Sequence, residues 1–230
     1  MRRCLVCDEA MKDALTWRNL LKPLEAKAIC KGCEGKLERI TGKRCSFCSR
    51  SLAGNYSSGD ICFDCTRWES DEQWSGYLSK NISLFHYNEH LKGIIAKYKY
   101  RGDYALAEIF VPYMREILED MEYDLITCIP LSDERLKERG FNQAQALADL
   151  LGLRTVELLT RIDTEKQSKK SRHERMTLPQ VFQIAKKDLL RNQSILVIDD
   201  IYTTGTTLRQ AAKALKKAGA KAVSSITLSR

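Results

Sequence analysis

The chain has 230 residues, 43% hydrophobic and 30% charged, which suits one ordinary domain plus a smaller one in a soluble globular protein. No apolar run approaches the ~18 residues needed to span a bilayer, and the opening Met-Arg-Arg-Cys-Leu-Val-Cys-Asp-Glu lacks the apolar core of a secretory signal, so a reducing cytoplasm is the expected compartment. A formal net charge of +8 permits an anionic partner, but 38 basic residues are interspersed with 30 acidic ones, so charge alone does not select nucleic acid.

Four Cys-x-x-Cys pairs crowd the start of the chain: Cys4/Cys7, Cys30/Cys33, Cys45/Cys48 and Cys62/Cys65. The two-residue gap lets both thiolates of a knuckle reach one tetrahedral ion, so the four pairs supply ligands for two zinc ions. A redox pair or a disulfide framework is the alternative, although redox motifs come singly and disulfides belong to oxidising compartments. Local loop closure favours Cys4, Cys7, Cys30 and Cys33 as one group and Cys45, Cys48, Cys62 and Cys65 as the other, with an interleaved cross-brace as the competing arrangement. Neither group has enough apolar neighbours to fold without its ion, which makes metal binding and folding one event. Residues 34–44 between them are charged and helix-favouring. Cys128, within Leu125-Ile126-Thr127-Cys128-Ile129, reads as a buried structural thiol.

Residues 66–79 mix Trp68 and Trp74 with acidic and small residues and read as a connector, dividing a cysteine-rich domain at 1–70 from a larger one at 80–230. A strand is expected at 83–87. A helix follows at 89–100, where Leu91, Ile94, Ile95 and Tyr98 recur at helical spacing. A second helix over 104–120 contains Pro112, which should bend or split it. Beyond it, strands at 124–129, 155–159, 194–198 and 222–228 alternate with helices at 142–151 and 206–218. That order predicts the α/β class, a mostly parallel sheet with helices on its faces.

The sharpest chemistry lies between Ile195 and Thr207. Ile195-Leu196-Val197-Ile198 form a buried strand, and open α/β sheets bind ligands at the carboxyl ends of such strands. Asp199 and Asp200 follow there; adjacent carboxylates can each accept from one hydroxyl of a vicinal diol and can sit near magnesium. Thr203, Thr204, Gly205, Thr206 and Thr207 then open a helix, where free backbone N–H groups, the helix dipole and short hydroxyls converge on a phosphate. Together they describe a ribose 5-phosphate pocket. The plain alternative is a solvated acidic turn before an ordinary helix cap.

This run resembles the phosphoribosyl-pyrophosphate (PRPP) motif of type I phosphoribosyltransferases. The Ile-Pro-Leu and Arg-Gly-Phe-Asn-Gln segments around residues 129–143, with the four cysteine pairs, are similar to the ComF family, and the resemblance covers nearly the whole chain. It includes Lys97-Tyr98-Lys99-Tyr100-Arg101-Gly102-Asp103 and Glu165-Lys166-Gln167-Ser168. The resemblance implies a type I phosphoribosyltransferase-like fold preceded by a small double zinc ribbon. It also implies PRPP bound with magnesium, and a pyrophosphate loop carrying Arg135, Lys137, Arg139 and Gly140. Its biological implication is natural transformation: incoming single-stranded DNA handled beside a competence helicase and a recombination mediator.

Residues 164–180 occupy the place of the mobile catalytic loop in that fold. Lys166, Lys169, Lys170, Arg172 and Arg175 are its candidate nucleic-acid contacts, against the common case of a merely solvated charge run. His173 in the same loop could serve as an acid or base, but no residue is assigned as catalytic. His86 and His90 read as structural or exposed. Tyr98-Lys99-Tyr100-Arg101 could stack a base and hold a phosphate, or simply pack the core. Three functions are compatible with this pattern: DNA handling with a ribose-phosphate pocket, an active transferase acting on a nitrogen nucleophile, and a PRPP-sensing scaffold.

Overall fold

The computed structural model describes residues 2–11, 28–52, 57–162 and 181–230. The first knuckle lies between β1 (Arg2–Arg3) and β2 (Ala10–Met11), and the second opens α1 (Lys31–Glu34), which ends at Gly35. Residues 34–44 are therefore not the expected helix. Leu37 and Ile40 are buried, and the chain runs antiparallel beside the first strand of the main sheet, with Ile40 N donating to Leu84 O and His86 N to Glu38 O. Burying two apolar side chains while covering an edge strand outweighs the local helical preference.

The fourth cysteine pair sits on a hairpin of β3 (Ser57–Ser58) and β4 (Ile61–Cys62) that leads directly into α2 (Phe63–Ser70). The first part of the expected connector is thus helical. Next come β5 (Lys80–Phe85) and α3 (Glu89–Tyr100), whose N-cap Asn88 accepts from Leu91 N. The Pro112 region does split, into a 3-10 helix at Tyr104–Ile109 and α4 (Val111–Leu118) with the proline in its first turn, where its missing N–H costs nothing.

After β6 (Leu125–Cys128) come α5 (Asp133–Arg139) and α6 (Gln143–Leu150). The strand expected at 155–159 is displaced. Thr155 makes one parallel bridge to Ile126, and the strand proper, β7 (Leu159–Arg161), pairs antiparallel with β8 (Phe182–Ile184) in a separate ribbon. The chain closes with β9 (Ser194–Ile201), α7 (Thr206–Lys217) and β10 (Ala222–Ser229).

The main sheet is parallel, in the order β5-β10-β9-β6. Its pleat sends Leu196 and Ile198 into a core shared with α3, α4 and α6, and sends Ile195 and Val197 into one shared with α7. The two cysteine groups divide along the same line. Cys4 and Cys33 pack in the first core, and Cys45, Cys48, Cys62 and Cys65 in the second. A buried polar patch fastens the second group to the sheet: Ser49 Oγ donates to Asn81 O, and Asn81 joins Ser83, Ser225 and Thr227 by side-chain hydrogen bonds. No described helix is long and apolar enough to cross a membrane.

Candidate functional site

The cysteines gather in the two local groups. In each, four Sγ atoms, from Cys4, Cys7, Cys30 and Cys33 or from Cys45, Cys48, Cys62 and Cys65, lie within 4.8 Å of one another, so either could hold a metal ion. Backbone donors already point at the sulfurs: Cys30 N to Cys4 Sγ, Cys33 N to Cys30 Sγ and Cys62 N to Cys45 Sγ, at 3.3–3.4 Å. Such donors stabilise thiolates, and four sulfurs this close with no disulfide between them are the kind of donor set a tetrahedral ion takes. In the second group, hydrogen bonds shared first with Cys48 and then with Cys62 and Cys65 push Cys45 down, while the same sharing pushes Cys48 up. The groups differ in exposure. All four ligands of the second are buried, whereas Cys7 of the first is exposed. Cys128 is only half-buried, at the end of β6, and burial followed by Asp149 and Asp199 raises its thiol to about 12.

At the carboxyl edge of the sheet, β9 extends further than expected and carries Asp199 and Asp200 as its last turn of pleat before Ile201. Alternation sends Asp200 toward α3, where Lys99 Nζ meets its carboxylate at 2.7 Å with both side chains largely buried. Asp199 faces the other way. Burial, then the neighbouring Asp200 charge, raises it to about 7, opposed by its hydrogen bond from Asp200 N and by Lys99 and Arg161. Arg161, at the end of β7, is lowered by burial and then by Arg135, with Asp199 raising it and Arg139 lowering it further. Three guanidiniums and a carboxylate thus share one electrostatic neighbourhood. Lys137 is exposed on the same helix as Arg135 and Arg139.

The segment expected as a pyrophosphate loop is for the most part a helix. Ser132 caps α5 by accepting from Arg135 N, and Gly140 ends it in the left-handed region at φ 79°. A Ser-Asp-Glu start, basic residues in the last turn and a terminal glycine are ordinary helix signals, and they prevail over the loop that the resemblance implies. Arg139 lies over the Tyr100 ring and donates to Gln143 Oε1 at 2.9 Å. Of the four residues in the aromatic-basic run, Tyr98 is buried and donates to Gln143 O, while Tyr100 is exposed.

Gly205 forms the N-cap of α7 at φ 82°, and an added Cβ there would overlap the Tyr202 ring. Only glycine lets this backbone turn so close to the aromatic ring. Thr203, Thr204 and Thr207 are exposed, Thr206 is half-buried, and the Thr204 and Thr206 hydroxyls lie 2.9 Å apart. Thr204 and Thr206 open onto a groove of about 390 Å³ whose other lining residues are Asp64, Arg67, Trp68, Asp71 and Trp74.

The second cysteine group holds this loop. Trp68 Nε1 donates to Thr204 O at 3.0 Å. Arg209, fully buried on α7, pairs with Glu69 at 2.6 Å, packs over the Trp68 ring and approaches Cys65 Sγ at 4.0 Å. Sequence reasoning missed Arg161, Trp68, Glu69 and Arg209 as parts of the site and gave Lys99 a different task. An arginine one residue past Leu208 on an amphipathic helix carries no local sign that it will be buried. The basic residues Lys166, Lys169, Lys170, Arg172 and Arg175, with His173, lie outside the described residues.

A parallel sheet with an acidic pair and a threonine-glycine loop at its carboxyl edge, joined to paired four-cysteine modules, defines a phosphoribosyltransferase-type α/β protein. The family profile described as "Phosphoribosyl transferase domain" matches residues 136–230. "Competence protein ComFC" of Bacillus subtilis (strain 168) is 39% identical over 99% of this chain and 94% of its own length. "Competence protein ComFC" of Streptococcus pneumoniae (strain ATCC BAA-255 / R6) is 33% identical over 99% of this chain and all of its own. "Competence protein F" of Haemophilus influenzae is 24% identical over 85% and 87%. The chain belongs to the ComFC family of competence proteins.

Proposed function

We propose that this protein acts in natural transformation, in the cytoplasm, by handling incoming single-stranded DNA, and that its sheet edge binds PRPP or a related ribose phosphate with magnesium. The kinship with competence proteins supports the competence role. The observation that carries the pocket is the placement of Asp199, Asp200 and the 203–207 loop on one strand-to-helix turn of a parallel sheet. In this reading the loop's amides and hydroxyls hold the 5-phosphate, the acidic pair receives the ribose hydroxyls and magnesium, and zinc fills both cysteine groups. A competence helicase and a recombination mediator are the proposed protein partners. The division into a zinc-ribbon domain at 1–70 and a transferase-like domain at 80–230 belongs to the same reading.

A second reading, an active transferase, draws on Arg135, Arg139 and Arg161 around Asp199. Cations gathered there suit a departing pyrophosphate, which would leave as a nitrogen nucleophile attacks the ribose. Titration calorimetry with PRPP and magnesium tests the pocket: Asp200→Asn and Thr204→Val should each weaken binding by about 1–3 kcal/mol. No binding by wild type at millimolar ligand would refute the pocket. Pyrophosphate release with a nucleobase panel would select the enzyme.

A further inference from the structure

Beside the phosphate loop, the sheet edge holds a second compartment. A cavity of about 520 Å³ is lined by His86 and Tyr87 after β5, by Tyr202 and Thr203 after β9 and by Arg230 after β10; Arg50, from the second cysteine group, closes it. Among the described lining residues three side chains are basic in type and none is acidic. Arg230 is 6% exposed, stacks on the Tyr202 ring at 4.7 Å, and among the described residues has no hydrogen-bond partner for any guanidinium nitrogen. Its nearby carboxylate is Asp64, at 3.6 Å, and Asp64 is already engaged by Arg50 at 2.5 Å. Two guanidiniums therefore share one carboxylate; the other negative charge within reach of Arg230 is the Cys48 thiolate of the second cysteine group, but it does not hydrogen-bond the guanidinium, and a buried cation short of acceptors is costly unless an anion joins it.

We propose that this cavity is a second phosphate subsite, continuous through Thr203 with the loop that holds the first. The proposal rests on the reading of residues 203–207 as a phosphate loop. A ribose 5-phosphate in a polynucleotide continues through its phosphate into the neighbouring nucleotide. The cavity gives that neighbour a cationic seat and, in Tyr87 at 45% exposure, a ring on which its base can stack. Single-stranded DNA would then fill both subsites, whereas PRPP fills only the first and its own pyrophosphate end. A free phosphate could also occupy the cavity, since the recognising chemistry is the same.

Calorimetry on the metal-loaded full chain, with PRPP, inorganic phosphate and 5′-phosphorylated dithymidylate as probes, separates these cases. Arg230→Gln should lower dithymidylate affinity tenfold or more, leave PRPP affinity within about twofold, and keep the metal content unchanged. Inorganic phosphate that competes with dithymidylate in wild type but not in Arg230→Gln would make free phosphate the ligand of the cavity. If Arg230→Gln does not fold, Tyr87→Ala should lower dithymidylate affinity several-fold with PRPP binding intact. Equal losses for both ligands, no loss for either, or loss of metal with dithymidylate binding unchanged would overturn the proposal; the last would make Arg230 only a counter-charge for the second cysteine group. Wild type that binds dithymidylate through Arg230 but not PRPP would sink the phosphate-loop reading and leave the cavity standing.

Discussion

The indole N–H of Trp68 donates to the carbonyl of Thr204 at 3.0 Å, so the helix that begins at the fourth cysteine pair also fixes the backbone of the 203–207 loop. Trp68→Phe removes this bond while keeping a ring against Arg209 and Trp74. It should weaken PRPP binding by about 0.5–1.5 kcal/mol, the usual net worth of such a bond, with a small fall in melting temperature. Calorimetry and thermal melts on the two proteins check it.

Gly205→Ala should do more damage. At φ 82° a side chain is strained, and here the new Cβ would also meet the Tyr202 ring, which is itself buried. A cost of about 1–3 kcal/mol in stability is expected, with phosphate affinity falling in parallel. Unchanged melting and binding would mean that the loop does not hold this turn.

The sheet and the strand-to-helix turn at its carboxyl edge are legible in the sequence because they rest on local signals: the unbroken apolar run before Asp199, the glycine after Thr204 and the period of α7. The pairing of cysteines is legible for a similar reason, since short loops close cheaply. What escapes is tertiary. Arg39 and Ile40 are drawn alongside the edge of β5, and the strand near Thr155 shifts to Leu159–Arg161 because its partner, Phe182–Ile184, arrives from beyond a long intervening segment. Arg209 and Arg161 become site residues only through partners distant in sequence, Glu69 and Asp199.

Freshly purified, unoxidised protein should contain two zinc ions per chain, and they should leave at different rates. With Cys7 exposed and every ligand of the second group buried, a chelator should strip the first site early and the second late. The late phase should coincide with loss of the cooperative melt, because Cys45, Cys48, Cys62 and Cys65 lie within the core that α7 shares. Elemental analysis through the time course measures both steps; one ion at the outset, or a single phase, would contradict this.

Asp199→Asn should stabilise the protein and impair its pocket. Burial and Asp200 raise the native carboxyl to about 7, so between the ordinary aspartate range and pH 7 the folded state holds a proton that the unfolded state has released. Wild-type stability then falls as pH rises through that window and levels off above it. The variant lacks the effect, so its advantage should grow from about pH 4 to pH 7, reaching about 1 kcal/mol or more. PRPP binding by wild type should strengthen over the upper part of the same range, as the carboxylate becomes available to magnesium, and binding by the variant should not. Melts and calorimetry at pH 5, 6, 7 and 8 test both signs.

Single-stranded DNA should bind with little sequence preference, and log affinity should fall linearly with log salt, by about 0.7 for each phosphate neutralised. If the 164–180 segment supplies those contacts, replacing Lys169 and Lys170 with alanine should flatten the slope by roughly one unit or slightly more. The cysteine modules are the competing surface, but deleting them is a poor control: Cys4 and Cys33 on one face of the sheet and Cys45 and Cys48 on the other belong to its cores, so truncation would expose both. Lys43→Ala with Arg44→Ala is the cleaner comparison, since both side chains are exposed on the second module. A slope that changes in this pair and not in the Lys169/Lys170 variant would move the DNA contacts from the loop to the cysteine module.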